Sequence, residues 1–425
     1  MREKINRIKK NILFKNIVSL SFLQVSNYIF PLITLPYLVR VLGPEKYGLV
    51  NFAIAFTAYF NIITDFGFNL SVTREISLNR TNQKRISSIV STILFIKLIL
   101  LAICFSIFFI LIILIPFFNK YFSLYLLAFT IVIGNSFIPL WFFQGIEDMK
   151  YITYFNFAGK FFYTILIFVL IQNSHDFFKY IGLNGILMLS ISILSILFIF
   201  IKFKIRLIFP NKNEVLHQIN KSKHIFFSNI GISLYTNSTT FILGLLTSNN
   251  IVGYFVAADK IRIAIQSIYS PVSQAIYPRL ASLFNSSKAK AVDLLRRISS
   301  WVILLGGSVG ILILIFSKEI IILILGNEYL SSIPVLRIMA FLPMVIAVSN
   351  LGGIQVMLNI GMKQTFMKII LTAAVLNLVL LFVFIPFYNA NGAAFSMLIT
   401  EIFVTVIILI NLNKKNINIF KSEYV

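Results

Sequence analysis

The sequence predicts an all-α integral membrane protein with about 12 transmembrane helices in two six-helix lobes. Three observations predict this class. First, 58% of the 425 residues are hydrophobic and only 12% are charged, against roughly 25% charged residues in soluble proteins. Second, the mean hydropathy is +0.91. Third, the apolar residues fall into long continuous stretches, and such stretches are typical of helices that cross a bilayer.

Twelve stretches approach the roughly 20 apolar residues that a spanning helix needs. The first is too long for a cleavable signal peptide and lacks a small-residue cleavage site. The connections are short, so we expect no separate soluble domain. The predicted spans are residues 14–38, 48–69, 89–117, 122–143, 152–171, 180–201, 225–247, 251–277, 295–316, 332–357, 367–387 and 392–412.

The distribution of Lys and Arg predicts the orientation. With the N-terminus inside, the inner segments hold 27 basic residues and the outer connections hold five. This bias follows the positive-inside rule and predicts an even number of spans with both termini cytoplasmic. Most of the net charge of +23 is thereby explained without nucleic acid. The inner segments are 1–15, 70–88, 144–151, 202–224, 278–297, 358–368 and 413–425.

The longest polar interruption divides the chain into two halves. We predict an N-terminal six-helix lobe (1–201), a basic cytoplasmic linker (202–224) and a C-terminal six-helix lobe with a short tail (225–425). Residues 47–53 (YGLVNFA) resemble residues 252–258 (VGYFVAA), which indicates an internal duplication. Halves with even span numbers are parallel repeats, and such lobes enclose a central cavity that opens by alternating access.

The motifs of several enzyme classes are missing from the sequence. It contains no phosphate-binding G-x-x-x-x-G-K-[ST] motif and no G-x-S-x-G elbow. The three histidines are scattered, and the single cysteine, Cys104, allows no internal disulfide. We therefore predict neither an enzyme, nor a cofactor, nor a metal site.

Charged residues at membrane depth mark functional sites by default. Asp259, Arg262 and Gln266 have the spacing i, i+3, i+7 and share one helix face. This face either forms an internal ion pair that holds helices together or lines a water-filled cavity. The neighbouring Lys260 favours the cavity because it adds a second cation.

Lys97 and Lys160 each lie about eight residues from a cytoplasmic helix end. Each lysine either extends to the inner headgroups or faces the cavity. Asn156 shares a helix face with Lys160, which favours the cavity for that lysine. The first span carries a polar stripe that includes Gln24 and Asn27, and it either packs centrally or lines a passage.

Three carboxylates are candidates for ion coupling. Asp65 ends the second span, where it either pairs with Arg74 or binds an ion. Glu401 lies about ten residues below the outer surface without an obvious local partner. Asp259 is the third candidate. These few acids leave the predicted cavity positive, so it favours a diphosphate-linked lipid and repels cationic drugs.

Several segments of the chain together form a recognisable set of motifs. They are Gln24 and Pro31 with residues 36–48 (PYLVRVLGPEKYG), 65–69 (DFGFN), 73–75 (TRE), 141–151 (WFFQGIEDMKY), 277–279 (YPR), and Pro386 with 392–394 (GAA) and Glu401. These motifs resemble those of the polysaccharide-repeat flippases, which are the O-antigen flippases (Wzx) of the multidrug/oligosaccharidyl-lipid/polysaccharide superfamily. The similarity covers nearly the whole chain, and residues 141–151 are its most specific part.

The resemblance implies a V-shaped transporter in the bacterial plasma membrane that moves undecaprenyl-diphosphate-linked oligosaccharide. It implies alternating access driven by a proton or sodium gradient. The expected partners are that glycan, membrane lipids and the polysaccharide polymerase machinery. The alternatives are a cation-coupled multidrug exporter, a flippase for the peptidoglycan precursor, and a membrane-embedded glycosyltransferase or polymerase.

Overall fold

The computed structural model describes the backbone of residues 2–420. Side chains are described for residue 19 and for residues 22–420, except residues 232, 235–236, 270–271, 274–275, 278 and 285. The side chains of the predicted basic N-terminal segment 1–15 and the last residues of the predicted tail lie outside this description. Within it helices are the only regular secondary structure.

The first half of the chain contains eight helices in the described residues. The predicted fourth span is broken at Ile138–Pro139, because proline has no amide hydrogen to continue the helical ladder. A short 3₁₀ helix, Ser174–Asp176, precedes the last of the eight. The helices are α1 (Arg2–Asp65), α2 (Phe68–Leu78), α3 (Gln83–Leu114), α4 (Pro116–Asn119), α5 (Phe122–Phe137), α6 (Leu140–Gly145), α7 (Lys150–Leu170) and α8 (Phe177–Lys202).

The second half contains seven α-helices in the described residues. A 3₁₀ helix, Asn327–Tyr329, follows α12, and a π-helix, Leu351–Met357, follows α14. The predicted eighth span is divided between α10 and α11. The helices are α9 (Lys212–Leu246), α10 (Asn249–Ser267), α11 (Tyr269–Ser286), α12 (Lys288–Ile324), α13 (Ser332–Ile338), α14 (Leu342–Asn350) and α15 (Lys363–Asn413).

Eight helical segments of the described chain are long and apolar enough to cross a membrane. Two of them, Phe22–Leu78 and Lys363–Asn413, are 57 and 51 residues long and each includes two predicted spans. Their helices are interrupted by non-helical residues at Gly43 and Asn389. Predicted spans 225–247 and 251–277 each include residues that lie outside the described side chains. The second of these carries Asp259, Lys260 and Arg262 within four residues.

The chain forms two compact units. Unit 1 comprises Met1–Thr34 and Ala53–Ile230, and unit 2 comprises Leu35–Phe52 and Gly231–Val425. This division differs from the predicted lobes because the middle of α1 belongs to unit 2 and the start of α9 belongs to unit 1. Each unit has its own apolar core, which includes Phe68 and Trp141 in unit 1 and Leu295 and Ile408 in unit 2.

A reciprocal glycine contact joins the two similar sequence segments within unit 2. A Cβ atom on Gly48 would lie 1.9 Å from the carbonyl oxygen of Asn249, and one on Gly253 would lie 2.0 Å from that of Pro44. Only glycine permits so close an approach. Because Gly48 corresponds to Gly253 and Pro44 to Asn249 in the sequence comparison, the contact has local two-fold character.

The predicted linker is a packed part of unit 1. Its second half, from Lys212, is helical and begins α9. We name its first half, residues 203–211, the linker segment. The segment bonds to the first turns of α3, where Ser87 Oγ accepts from the Arg206 amide at 3.3 Å and Ser91 Oγ accepts from the Ile208 amide at 3.0 Å. The linker segment is not helical, so its backbone amides need other hydrogen-bond partners. The serine hydroxyls at the start of α3 provide two of them.

Candidate functional site: polar residues at membrane depth

Arg262 is held in a hydrogen-bonded row along α10. Its Nε donates to Asp259 Oδ1 at 2.6 Å, and its Nη1 donates to Gln266 Oε1. Only 8% of the Arg262 side chain is exposed. Its Nη2 has no hydrogen-bond partner among the described residues. The ion pair fixes the guanidinium in place and leaves one of its nitrogens available.

Lys260 and Glu401 differ in their surroundings. The side chain of Lys260, next to Asp259 on α10, is exposed. Glu401 on α15 is half-buried and takes part in an interaction. No local pattern in the sequence indicates this interaction.

Lys160 on α7 reaches α1. Its ammonium donates a hydrogen bond to Asn27 Oδ1, and both side chains are half-buried. Asn156, one turn away, donates its amide to the Ile152 carbonyl at 2.9 Å. Gln24, one turn before Asn27, is half-buried and has an interaction of its own. The polar stripe of the first span and the polar face of α7 therefore meet in unit 1.

Aromatic rings flank the Lys160–Asn27 contact. The ring of Phe157 lies 5.0 Å from that of Phe22 and 5.5 Å from that of Phe30, measured between centroids. Phe22 and Phe157 are 45% and 37% exposed. The cation thus sits beside a partly open apolar surface, which suits a ligand that joins a charged group to a hydrocarbon or to a sugar face.

The structure contradicts both predictions for Lys97. Its side chain neither extends to the headgroups nor lines an open cavity, because it is only 2% exposed. Its Nζ donates to the Ser136 carbonyl at 2.7 Å near the end of α5. The α-helical donor to this carbonyl would be the Leu140 amide, which bonds to the Ile138 carbonyl instead at 3.0 Å, so Lys97 supplies the donor. Lys97 therefore stabilises the chain where α5 ends and α6 begins.

The predicted ion pair between Asp65 and Arg74 is also wrong. Arg74 is exposed, whereas Asp65 is half-buried and accepts a hydrogen bond from Asn69 Nδ2 at 2.6 Å. The charges of Asp65 and Lys97 lie close enough to interact, although they form no direct ion pair. Asp65 therefore has a cation nearby on α3 rather than on its own connection.

Sequence analysis missed a buried carboxylate on α2. Glu75 is 5% exposed. Its Oε1 accepts from Arg85 at 2.9 Å, and its Oε2 accepts from Lys221 at 2.7 Å and from Gln218 at 3.1 Å. A usable signal was present, because Glu75 is the single acid of the basic segment 70–88. We name Glu75, Arg85, Gln218 and Lys221 the Glu75 network.

The geometry of these side chains suits recognition of a charged group. A guanidinium fixed by Asp259 and an ammonium fixed by Asn27 both present N–H donors in low-dielectric surroundings, where charge-assisted hydrogen bonds to phosphate are strong. No group of three or more metal-ligating side chains occurs among the described residues. The arrangement is therefore suited to binding an anionic group.

Comparison with solved structures defines the class of protein. An inward-facing multidrug resistance MATE family transporter of the MOP superfamily matches with a TM-score of 0.67 at 14% identity, over 94% of this chain and 98% of that one. The lipid II flippase MurJ in an inward closed conformation matches with a TM-score of 0.62 at 15% identity, over 94% and 87% of the two chains. The chain has the fold of a membrane transporter.

Comparison of sequences then gives the family. Residues 13–284 match the family described as polysaccharide biosynthesis protein. A protein of Escherichia coli (strain K12), named "Putative O-antigen transporter", is 32% identical over 399 residues, which are 93% of this chain and 95% of that protein. The chain belongs to this polysaccharide biosynthesis family, which confirms the resemblance, and it is a multi-pass protein of the bacterial inner membrane.

Proposed function

We propose that this chain is a flippase that carries undecaprenyl-diphosphate-linked oligosaccharide repeat units of a surface polysaccharide across the plasma membrane. The family and the O-antigen transporter relative support this function. The observation that carries it is a buried arginine with an available Nη2 group. An anionic diphosphate matches such a donor, whereas a cationic drug would be repelled.

The transporter works by alternating access and has twelve spans, with both termini in the cytoplasm. The two longest membrane segments each contain a break, which agrees with two spans apiece. The predicted lobes 1–201 and 225–425 enclose a central cavity for the hydrophilic glycan, while the polyprenyl tail stays in lipid. The basic inner segments support this orientation.

Arg262, Lys260 and Lys160 bind the diphosphate, and Asp259 orients Arg262. Asn27 positions Lys160, while Gln24, Asn156 and Gln266 contribute polar surface to the glycan. Lys97 is left out of this set because its ammonium is committed to the Ser136 carbonyl. Binding is modest, since a cargo that is held too tightly cannot be released.

Transport is coupled to an ion gradient through a carboxylate at membrane depth. Asp65 is the first choice because it is half-buried and accepts a hydrogen bond from the neutral amide of Asn69 rather than from an ion-pair partner. Glu401 and Asp259 are the other choices. A proton or a sodium ion could bind to such an oxygen, and replacement by Asn distinguishes the three residues by their loss of gradient-driven flipping.

The test is glycan export by variants of Arg262 in cells that lack the native gene. We expect Arg262→Glu and Arg262→Gln to reduce export at least tenfold, which corresponds to about 1.4 kcal/mol. The lipid-linked intermediate should accumulate on the inner leaflet. Size-exclusion chromatography of the purified variants checks that they still fold and insert.

Arg337→Glu is the matched control, because Arg337 also lies within a membrane segment of unit 2 but is exposed and bonds to Ser317 Oγ at 2.7 Å. We expect it to export normally. Normal glycan export by Arg262→Glu would show that Arg262 does not bind the diphosphate. Efflux of ethidium by the wild type, without glycan accumulation on deletion, would instead establish a multidrug exporter.

A further inference from the structure

The linker segment, residues 203–211, lies beside the outer surface of a membrane helix in unit 1. The ring of Phe209 is next to the ring of Phe95 on α3, with 5.7 Å between the two centroids. Phe95 lies within the membrane segment Gln83–Leu114, and Leu98, further along the same helix, is 55% exposed. Exposed apolar side chains of a spanning helix face lipid. The end of the linker segment therefore runs along a surface that lipid covers.

Hydrogen bonds from α3 hold the backbone of the linker segment in place. Gln83 Nε2 donates to the Lys204 carbonyl at 3.3 Å, and Ser91 Oγ donates to the Arg206 carbonyl at 3.4 Å. Ile205, between these two residues, is buried, whereas the side chains of Lys204 and Arg206 are exposed. The fixed backbone thus presents two cations on the outer side of the segment.

These cations have no carboxylate partner and have apolar neighbours. Lys202, Lys204 and Arg206 take part in none of the ion pairs of the described residues. Leu207 and Phe209, which follow them, are 70% and 88% exposed. Unpaired cations beside exposed aliphatic and aromatic side chains are typical of a membrane interface, where the cations meet anionic headgroups and the apolar groups enter the acyl region.

Aromatic rings position the cation at the end of α8. Lys202 Nζ lies 4.0 Å from the centroid of the Tyr151 ring and 5.3 Å from that of Phe198, and it also donates to Tyr151 Oη. Lys150 Nζ lies 4.7 Å from the same Tyr151 centroid but is paired with Asp148 at 3.4 Å. The rings restrain the Lys202 ammonium without neutralising its charge. Lys202 therefore remains available to an anion.

We propose that the linker segment and Lys202 form a binding site for the headgroup of an anionic membrane phospholipid. Lys202, Lys204 and Arg206 bind the phosphodiester oxygens through charge-assisted hydrogen bonds. Leu207 and Phe209 insert beside the acyl chains, an interaction that a soluble phosphate would not make. None of these residues belongs to the proposed transport site, so lipid binding here does not depend on the proposed cargo.

Lipid titration of the purified, delipidated full-length protein in detergent tests the site. Native mass spectrometry measures the dissociation constants of phosphatidylglycerol and of zwitterionic phosphatidylethanolamine. We expect the wild type to bind phosphatidylglycerol more tightly. Lys204→Gln combined with Arg206→Gln should weaken this binding roughly tenfold or more, since each basic side chain adds to the attraction. Phe209→Ser should weaken it roughly fivefold, because the apolar insertion is lost.

The matched control is Lys414→Gln combined with Lys415→Gln in unit 2. It removes the same charge from exposed side chains whose exposed neighbours, Asn413 and Asn416, are polar. We expect the control to bind phosphatidylglycerol within about twofold of wild type. Size-exclusion chromatography checks that all variants are folded.

Each outcome decides the proposal. Preference for phosphatidylglycerol that both linker variants weaken and the control keeps supports an anionic lipid site. Equal weakening by the control would show attraction to net charge alone and would overturn the proposal. Unchanged binding by the Lys204 and Arg206 double variant would overturn it too. Displacement of the lipid by free glycerol phosphate, with Phe209→Ser binding as wild type, would indicate a soluble anion instead and would also overturn it.

Discussion

The linker segment and residues 414–420, which we name the tail segment, occupy similar places in the two units. Each contains a residue with positive φ soon after a long helix, Lys204 at 49° and Asn416 at 52°. Each then bonds to the start of another long helix. Ser91 on α3 accepts from Ile208 N at 3.0 Å, and Ser299 on α12 donates to Ile419 O at 2.6 Å.

The two segments nevertheless differ in what else holds them in place. Both bury isoleucine side chains: Ile205 of the linker segment is 6% exposed, and Ile417 and Ile419 of the tail segment are 3% and 1% exposed. The linker segment leaves Phe209 88% exposed and continues into α9, which supplies Gln218 and Lys221 to buried Glu75. Apolar burial thus stabilises both segments, and in unit 1 the chain that follows the segment adds charge pairing.

The largest expected loss of stability comes from a change in the Glu75 network. Glu75→Ala leaves Arg85, Lys221 and the amide of Gln218 without their shared acceptor. We expect the free energy of unfolding to fall by about 3 kcal/mol, as for one partner removed from a buried ion pair. Thermal and denaturant unfolding in detergent would measure it.

The control for this variant is Asp293→Ala in unit 2. Asp293 pairs with Arg297 at 3.1 Å, but their side chains are 58% and 75% exposed. Such a pair contributes less than about 0.5 kcal/mol. Equal losses in the free energy of unfolding for Glu75→Ala and Asp293→Ala would show that burial of the carboxylate does not strengthen its ion pairs.

The next effect concerns apolar burial. Ile419→Ala should destabilise the protein by about 2–3 kcal/mol, because it removes buried methyl groups and leaves a cavity. Phe209→Ala should change stability by less than about 0.5 kcal/mol, since the ring is almost fully exposed. The same unfolding measurement applies to both. A larger loss for Phe209→Ala than for Ile419→Ala would show that burial does not determine which apolar residues stabilise the segments.

The smallest expected loss of stability comes from removing the serine hydroxyl that binds each segment. Ser91→Ala and Ser299→Ala each remove one buried hydroxyl that bonds to a docked backbone. We expect similar losses of about 1 kcal/mol from the two variants. Hydrogen exchange of residues 203–211 and 414–420 would report the local loosening. Faster exchange in only one of the two segments would contradict the view that the two serines hold their segments in the same way.

Much of the helical pattern was predictable from hydropathy. Predicted spans 152–171 and 180–201 correspond to α7, Lys150–Leu170, and α8, Phe177–Lys202. Predicted span 295–316 is shorter than α12, Lys288–Ile324. Hydropathy detects only the apolar part of a helix, so the polar first turns of α12, which begin at Lys288, were missed.

The candidate site was predictable only where its contacts are local. The row Asp259–Arg262–Gln266 follows from helical spacing, because residues three and four apart are neighbours. The Lys160–Asn27 contact joins residues 133 positions apart, and the pattern of neither helix specifies it. The Lys97 contact was unpredictable for a further reason, since its partner is a backbone carbonyl.

The sequence by itself determined that the chain enters a membrane and which helix face carries Arg262, and it predicts the side on which the loops lie. These properties depend on composition, on loop charge and on the period of the α-helix. The tertiary structure alone decided that Lys97 and Glu75 are buried and that the presumed linker packs as part of unit 1. Burial and pairing arise when distant helices pack, because a buried charge is stable only where the surrounding chain supplies its partner.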